Sequence, residues 1–242
     1  MMNFIYFDEL ESANIYAKEM AKNGSPQWTV IIADRQNGGY GRMKRRFFSP
    51  DSCGLYMSII LRPALPPDKC LYITTAAAVA AAEAIEEPSG QRADIKWVND
   101  IYINGKKVCG ILTEAAFYDE SSIDYAILGI GVNLYEPEGG YDPSIQNIAG
   151  ALFDKKPDRD LRTDLARLIT AKFETYYREL ENKSFLYAYR QRCFVIGKQI
   201  RVITPKGEYD AEAIGIDDEL GLIVKTENKE ITLHSAEVSI KV

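Results

Sequence analysis

Three stretches of this sequence gather residues suited to holding anions. The first is the loop Gln36-Asn37-Gly38-Gly39-Tyr40-Gly41-Arg42-Met43-Lys44-Arg45-Arg46-Phe47-Phe48-Ser49-Pro50. Glycines let the backbone approach a ligand closely and reach positive φ. Arginines supply planar, permanently charged donors that match carboxylate and phosphate. A glycine–arginine loop between two strands is therefore a candidate anion clamp. It is not a P-loop, because no G-x-x-x-x-G-K-[ST] occurs in the chain. The second stretch is Lys96-Trp97-Val98-Asn99-Asp100, followed by Lys106-Lys107-Val108-Cys109-Gly110-Ile111-Leu112-Thr113-Glu114. Lys96 stands between the apolar Ile95 and Trp97, and an ammonium taken out of water needs a counter-charge. A bound carboxylate or phosphate would supply one; a lysine projecting to solvent from an edge strand is the plainer alternative. The third is Gly129-Ile130-Gly131-Val132-Asn133-Leu134, where Asn133 ends a strand and its amide could meet a ligand or simply make a turn.

The elements around these stretches form a mixed pattern. Ser12 is placed to cap a helix running to about Asn23, which Asn23-Gly24 stops. Trp28–Asp34 and Leu55–Leu61 are short apolar runs that predict buried strands, with the loop of residues 35–54 between them. Asp68–Glu87 predicts an Ala-rich helix that Pro88-Ser89-Gly90 ends. Asp94–Trp97 is a brief strand. Ile101–Ile103 and Val108–Leu112 flank Asn104-Gly105, a pair that favours a type I′ hairpin turn. Tyr125–Leu134 is a further strand, residues 135–147 a flexible connection, and Leu161–Leu180 a second long helix. From Phe194 the pattern changes to five short runs, Gln199–Ile203, Tyr209–Ile216, Leu222–Lys225, Glu230–Leu233 and Glu237–Val242. Turn residues at Pro205-Lys206-Gly207, Asp217–Gly221 and Glu227-Asn228 separate them, which predicts a small β-barrel. The reading is an α+β domain over residues 1–193, with a mixed or antiparallel sheet and helices on one side of it, and a β-domain over residues 194–242.

Composition narrows the class. Hydrophobic residues make up 46% and charged residues 26% of the 242, ordinary values for a globular protein. The longest apolar run, Ala76–Ala82, is far short of the roughly 20 residues that span a bilayer. No basic region followed by an apolar one opens the chain, so a cytoplasmic location is expected. A net charge of −6 argues against general nucleic-acid binding. Cys53, Cys70, Cys109 and Cys193 are scattered and His234 is the sole histidine, so no metal site is expected. His234 reads as a surface or packing residue, Cys109 as a small buried one, and Tyr176-Tyr177 as filler.

Taken together, the three stretches resemble the biotin protein ligase family. Its G-R-G-R-x-G-R-x-W-x-S-P loop is similar to Gly39–Pro50, and its L-Y-x-S strand to Leu55–Ser58. Its K-W-P-N-D is similar to Lys96–Asp100, its K-x-x-G-I-L-x-E to Lys107–Glu114, its G-x-G-x-N to Gly129–Asn133, and its S-T-N to Ser12-Ala13-Asn14. The resemblance implies a fold like that of class II aminoacyl-tRNA synthetases and biotin ligases, followed by an SH3-like barrel. It implies that biotin and ATP, with Mg²⁺, form biotinyl-5′-AMP, and that biotin then passes to a lysine of a biotin carboxyl carrier domain. Lys96 and Arg42 would offset the charge of the reacting anions. Ser12, Asn14, Gln36, Gly39, Gly41, Arg42, Lys96 and Gly110 would hold biotin. Arg45, Lys96, Asn99, Lys107 and Asn133 would hold ATP or the adenylate. The chain begins almost at the first catalytic strand, so no operator binding is expected; a monomer and a homodimer both stay open.

The chain departs from the family pattern at five positions. Tyr40 stands where the family has arginine or lysine, Lys44 where it has glycine, and Phe47 where it has tryptophan. Val98 replaces a proline and Ala13 a threonine. Tyr40 would take a cation from over the adenylate, and Lys44 would restore it in part. Three other readings are weighed against a biotin ligase: a lipoate or octanoate ligase, a ligand-sensing protein using the same pocket, and a β-domain interaction module.

Overall fold

The computed structural model describes residues 2–119, 122–156, 160–205, 207–234 and 239–241. Its first sheet has seven strands: β1 (Asn3–Leu10), β2 (Thr29–Gln36), β3 (Gly54–Leu61), β4 (Asp94–Lys96), β5 (Asp100–Ile103), β6 (Lys106–Phe117) and β7 (Ile123–Asn133). Their order is β1-β2-β3-β7-β6-β5-β4. β1 and β2 are parallel, and every other pair is antiparallel. The β5–β6 hairpin turns through Asn104 (φ 49°) and Gly105 (φ 77°), the two positive φ values that a type I′ turn requires.

Side-chain alternation sorts the sheet into two faces. On one face Val30, Ile32, Leu55, Met57, Ile59, Leu61, Leu128 and Ile130 form a core with α2 (Cys70–Ser89) and α3 (Arg162–Tyr177). The residues Ala76–Ala82 of α2 are all fully buried, and their small size lets the helix pack closely. On the other face α1 (Ala13–Lys22) sets Ala13, Ala17 and Ala21 on Ile31, Ile60 and Ile127. Helices therefore cover both faces, not one as the sequence pattern suggested. α1 is polar along much of its length and covers only part of its face, because three alanines suffice to seat it. The uncovered remainder of that face is where the site lies.

Local punctuation differs from expectation in two places. Pro88 sits inside the last turn of α2, which runs on to Ser89 and stops at Gly90 (φ 64°). A proline this late costs a single backbone hydrogen bond, whereas left-handed glycine ends the helix outright. The connection at residues 135–147 is tied down at its start by backbone bonds, Tyr135 N to Cys53 O (2.9 Å) and Glu136 N to Phe153 O (3.3 Å).

A short helix α4 (Leu186–Arg192), not marked by the sequence pattern, leads to the second sheet. That sheet holds β8 (Gln199–Thr204), β9 (Gly207–Ile216), β10 (Leu222–Lys225), β11 (Glu230–Leu233) and β12 (Ser239–Lys241), in the order β11-β10-β9-β8-β12, all antiparallel. Of the expected strand Glu237–Val242 only Ser239–Lys241 falls within the described residues, and Lys206 of the expected turn lies outside them. The turn between β9 and β10 docks on the first sheet and its helices. The Trp97 indole donates to Leu220 O (3.0 Å), and Arg190 Nε donates to Ile216 O (3.0 Å). The Glu219 carboxylate accepts from Lys183 Nζ (2.8 Å), Tyr72 Oη (2.6 Å) and Lys69 Nζ.

Those three donors hold the Glu219 carboxyl down at about 2, from an ordinary 4.5. A depressed carboxyl stabilises the fold above its unfolded pKa, and that contribution is lost as pH falls through the folded value. The Tm gap between wild type and Glu219→Gln is therefore expected to be full at pH 5 and above. It should close as pH falls from about 4.5 to about 2. Melting curves across that range check this, and a pH-independent gap would contradict it.

Candidate active site

Strand register assembles the site. Tyr56 on β3 pairs with Gly131 on β7, Gly131 with Gly110 on β6, Gly110 with Asp100 on β5, and Asp100 with Lys96 on β4. Residues directly paired across antiparallel strands point to the same face. The second and third stretches thus meet on one rung, whose four strand steps span about 19 Å. Two residues along, a second rung runs Ser58–Gly129–Leu112. The two-residue spacing of Gly129 and Gly131 follows from the strand period: both must face the pocket.

The glycines are spaces filled by other side chains. A Cβ on Gly131 would lie 2.5 Å from the Phe47 ring, and one on Gly110 would lie 3.2 Å from it. Phe47 therefore rests on a floor made by a cross-strand glycine pair. A Cβ on Gly129 would strike the Asn14 amide. Asn14, buried at 7% exposure, accepts from Ser58 Oγ at 2.6 Å and donates to Glu114 Oε2 at 2.9 Å. Its amide is fixed at both ends.

The loop of residues 37–49 folds across this floor as a tight ribbon. Phe47 N donates to Gly39 O (2.9 Å) and Gly41 N to Arg45 O (2.8 Å). Its tip turns at Met43 (φ 55°) and Lys44 (φ 57°). Arg42 Nη1 reaches Asn99 Oδ1 at 3.4 Å, and Asn99 Nδ2 donates to Ile111 O at 2.7 Å. Tyr40 Oη donates to Glu114 Oε2 (2.9 Å), and Lys18 Nζ donates to Glu114 Oε1 (2.6 Å). Lys44 Nζ lies 4.3 Å from the Tyr40 ring centre, a cation–π distance.

The pocket lining holds five cations, Arg42, Arg45, Arg46, Lys96 and Lys107, against one carboxylate, Asp100. Asp100 pairs with Lys107 at 2.7 Å. Burial lowers the Arg42 pKa, and the neighbouring Arg45 adds to this while Asp100 opposes it. A guanidinium titrates so far above neutrality that Arg42 stays charged. Burial alone would push the Glu114 carboxyl up; hydrogen bonds from Lys18, Asn14 and Tyr40, with the Lys18 charge, hold it below its ordinary value. The pocket is a concentration of positive charge in a chain whose net charge is −6.

Of the expected site residues, Ser12, Asn14, Gln36, Gly41, Arg42, Arg45, Lys96, Asn99, Lys107 and Gly110 line this pocket. Ser12 holds the N-cap position of α1, but its hydroxyl makes no capping bond. Gln36 does the capping: its Oε1 accepts from Ala13 N (2.8 Å), and its Nε2 donates to Ser49 Oγ (3.1 Å). Gly39 lies outside the lining, at a spot where a Cβ would come within 2.7 Å of Ser49 Oγ. Asn133 also lies outside it, and its Nδ2 donates to Gly150 O at 2.9 Å. Sequence reasoning missed Ser58, Tyr56, Phe47 and Asp100 as pocket residues, and Lys18 and Glu114 behind them. The strand alternation of Tyr56 and Ser58 was a usable signal. Lys18, one of several charges on a polar helix, carried none. His234 is exposed, Cys109 is buried with its thiol pKa raised by burial, and Tyr177 packs edge-on against Trp28. Among the described residues, no cluster of three His, Cys, Asp or Glu could hold a metal. No helix there is long and apolar enough to cross a membrane.

A mixed seven-stranded sheet carrying a cationic glycine–arginine loop defines a class that comparison with known proteins identifies. Residues 5–133 match the biotin/lipoate A/B protein ligase family, and the chain belongs to it. Residues 195–241 match the biotin protein ligase C terminal domain, which points to the biotin branch. The chain is 36% identical over 241 residues to the bifunctional ligase/repressor BirA of Bacillus subtilis, covering 98% of this chain and 74% of that protein. It is 28% identical over 240 residues to a biotin–[acetyl-CoA-carboxylase] ligase of Paracoccus denitrificans, covering 94% and 96%. Its fold is that of a biotin protein ligase from Aquifex aeolicus solved with biotin and ATP: TM-score 0.83 at 24% identity, covering 100% and 99% of the two chains.

The crowding at Gly129 generates a prediction. Gly129→Ala puts a methyl against an amide that Ser58 and Glu114 fix, so Asn14 must move. Overpacking of this kind costs about 1–3 kcal/mol. Denaturant unfolding should show that loss, and titration with biotin should show weakened binding. Unchanged values for both would mean that the amide is not fixed.

Proposed function

We propose that this protein is a biotin–protein ligase that makes biotinyl-5′-AMP from biotin and ATP and passes biotin to a lysine of a biotin carboxyl carrier domain. The observation that carries the reading is the rung Tyr56–Gly131–Gly110–Asp100–Lys96 with Arg42 held above it by the loop. This gives a long, flat floor ending in cations. In the first step a biotin carboxylate oxygen attacks the α-phosphorus of ATP, the bond to the bridging oxygen breaks, and pyrophosphate leaves. Both reactants are anions. Lys96 and Arg42 offset their repulsion and the charge that grows in the transition state. In the second step the acceptor lysine amine attacks the acyl carbon, AMP leaves, and the surplus amine proton goes to solvent.

Ser12, Asn14 and Gly110 are assigned to the biotin side. Gln36 acts there by holding α1 and Ser49 in place. Gly39 and Gly41 let the loop fold back on itself. Arg45, Asn99 and Lys107 are assigned to ATP, with Asp100 keeping Lys107 in register at 2.7 Å. Asn133 is assigned a positioning role, bracing the segment at Gly150 against β7. Mg²⁺ bound with ATP would supply charge neutralisation on the phosphates, alongside Arg45 and Lys107. Closure of the loop keeps water off the mixed anhydride. The residues divide into a catalytic domain at 1–193 and a β-domain at 194–242. The charge balance favours a small-molecule and protein-acceptor enzyme without nucleic-acid binding by these residues, and the cytoplasm is its proposed setting.

Biotin-dependent ATP–pyrophosphate exchange tests the reading, with lipoate and octanoate in parallel. Biotin alone should support exchange; exchange only with lipoate or octanoate would move the protein to the sister activity. Lys96→Ala should reduce exchange by at least about 10²-fold, the scale of losing one transition-state donor, while the melting curve keeps its shape. Full activity in that variant would remove Lys96 from the mechanism. Arg42→Ala should speed release of the adenylate by orders of magnitude, read by trapping the released species; an unchanged rate would make the loop arginine structural only.

A further inference from the structure

We infer that Tyr40, Glu114 and Lys18 form a latch that holds the loop over the pocket before any ligand arrives, with Tyr40 a positioning residue for adenylate retention. The retention part rests on the adenylate reading above; the latch itself does not. Tyr40 belongs to the loop, Lys18 to α1 and Glu114 to β6, so their contacts join three separate elements. Tyr40 Oη donates to Glu114 Oε2 at 2.9 Å, and Lys18 Nζ donates to Glu114 Oε1 at 2.6 Å and to Tyr40 Oη at 3.3 Å. Glu114 Oε2 also accepts from Asn14 Nδ2 at 2.9 Å. One carboxylate thus grips the loop and the amide of the biotin side together.

Charge explains why tyrosine suits this place. Glu114 and Lys18 already balance one another. A neutral hydroxyl completes their bonding without adding a charge, so the loop closes without waiting for a bound anion. Lys44 Nζ sits 4.3 Å from the centre of the Tyr40 ring and is not among the residues that line the pocket. The cluster is partly open to water, with the Lys18 and Glu114 side chains 29% and 20% exposed. Solvent weakens such contacts, so the latch is strong enough to bias the loop and weak enough to reopen.

Limited trypsin digestion of the ligand-free protein tests this, because Arg42, Lys44, Arg45 and Arg46 place cleavable bonds at the loop tip. Tyr40→Phe keeps the ring and loses the hydroxyl. Cleavage within residues 42–46 should quicken by about tenfold, the lower range for a hydrogen bond to a charged group. Lys18→Met, altered outside the pocket lining, should quicken the same cleavage. The release rate of preformed biotinyl-AMP should rise by a similar factor while Tm stays within a few degrees, a split that a merely structural role would not give. Unchanged loop cleavage in both variants would overturn the latch. Faster cleavage with an unchanged release rate would overturn its role in retention. Faster cleavage in a protein that fails to form any adenylate would leave the latch standing and sink the functional reading instead.

Discussion

The close approach that Gly110 and Gly131 permit is the constraint on which the site depends. They face one another across β6 and β7 on the rung that also carries Tyr56, Asp100 and Lys96. Side chains there would fill the floor with their own atoms and push Phe47 off the sheet. Phe47 is the ring through which the loop that carries Arg42 meets the glycine floor. The bare rung is possible because the opposite face is so well packed. Leu128, Ile130 and Val132, which interleave with the two β7 glycines, are buried in the main core that α2 and α3 also enter. The strand is anchored on one side so that it can be vacant on the other.

Charge adds a second demand. Five cations line one pocket, and they repel one another at short range. The fold answers by placing partners beside two of them, Asp100 beside Lys107 and Asn99 beside Arg42, while Glu114 balances Lys18 outside the lining. These hold the cations in place while leaving their combined field directed at the pocket. Biotin carboxylate and ATP phosphates are the anions that such a field would draw together.

The second sheet belongs to the same machine. The Asp217–Gly221 turn docks beside the lysine stretch through the bond from Trp97 to Leu220 O, and Ile240 reaches the pocket lining. Tyr189 adds a bond to Val98 O at 3.0 Å. The strand end that presents Lys96 is therefore steadied from behind by residues nearly a hundred positions or more away in the chain.

Much of this was readable in the sequence because the signals are local. The apolar run of Leu55–Leu61, the Asn104-Gly105 turn and the alanine run of α2 are each signals carried by a few adjacent residues. So is the clustering of arginines in one glycine-bearing loop, which marked the anion clamp and supported the family resemblance. Lys18 lay silent, since a charge on a polar helix looks alike whether paired or solvated, and Glu114, though it closes the Lys107–Glu114 stretch, gave no sign of its partners. Gly39 and Asn133 carry the right residue types, yet the one is packed against Ser49 and the other turned to Gly150. The covering of both sheet faces was also hidden, because three alanines on α1 make too faint a stripe to announce a packed helix. The sequence by itself determined most of the elements, though not β1 or α4, together with the residue chemistry and the family. Tertiary structure decided which residues meet, because register across five strands depends on pairings that no local window contains.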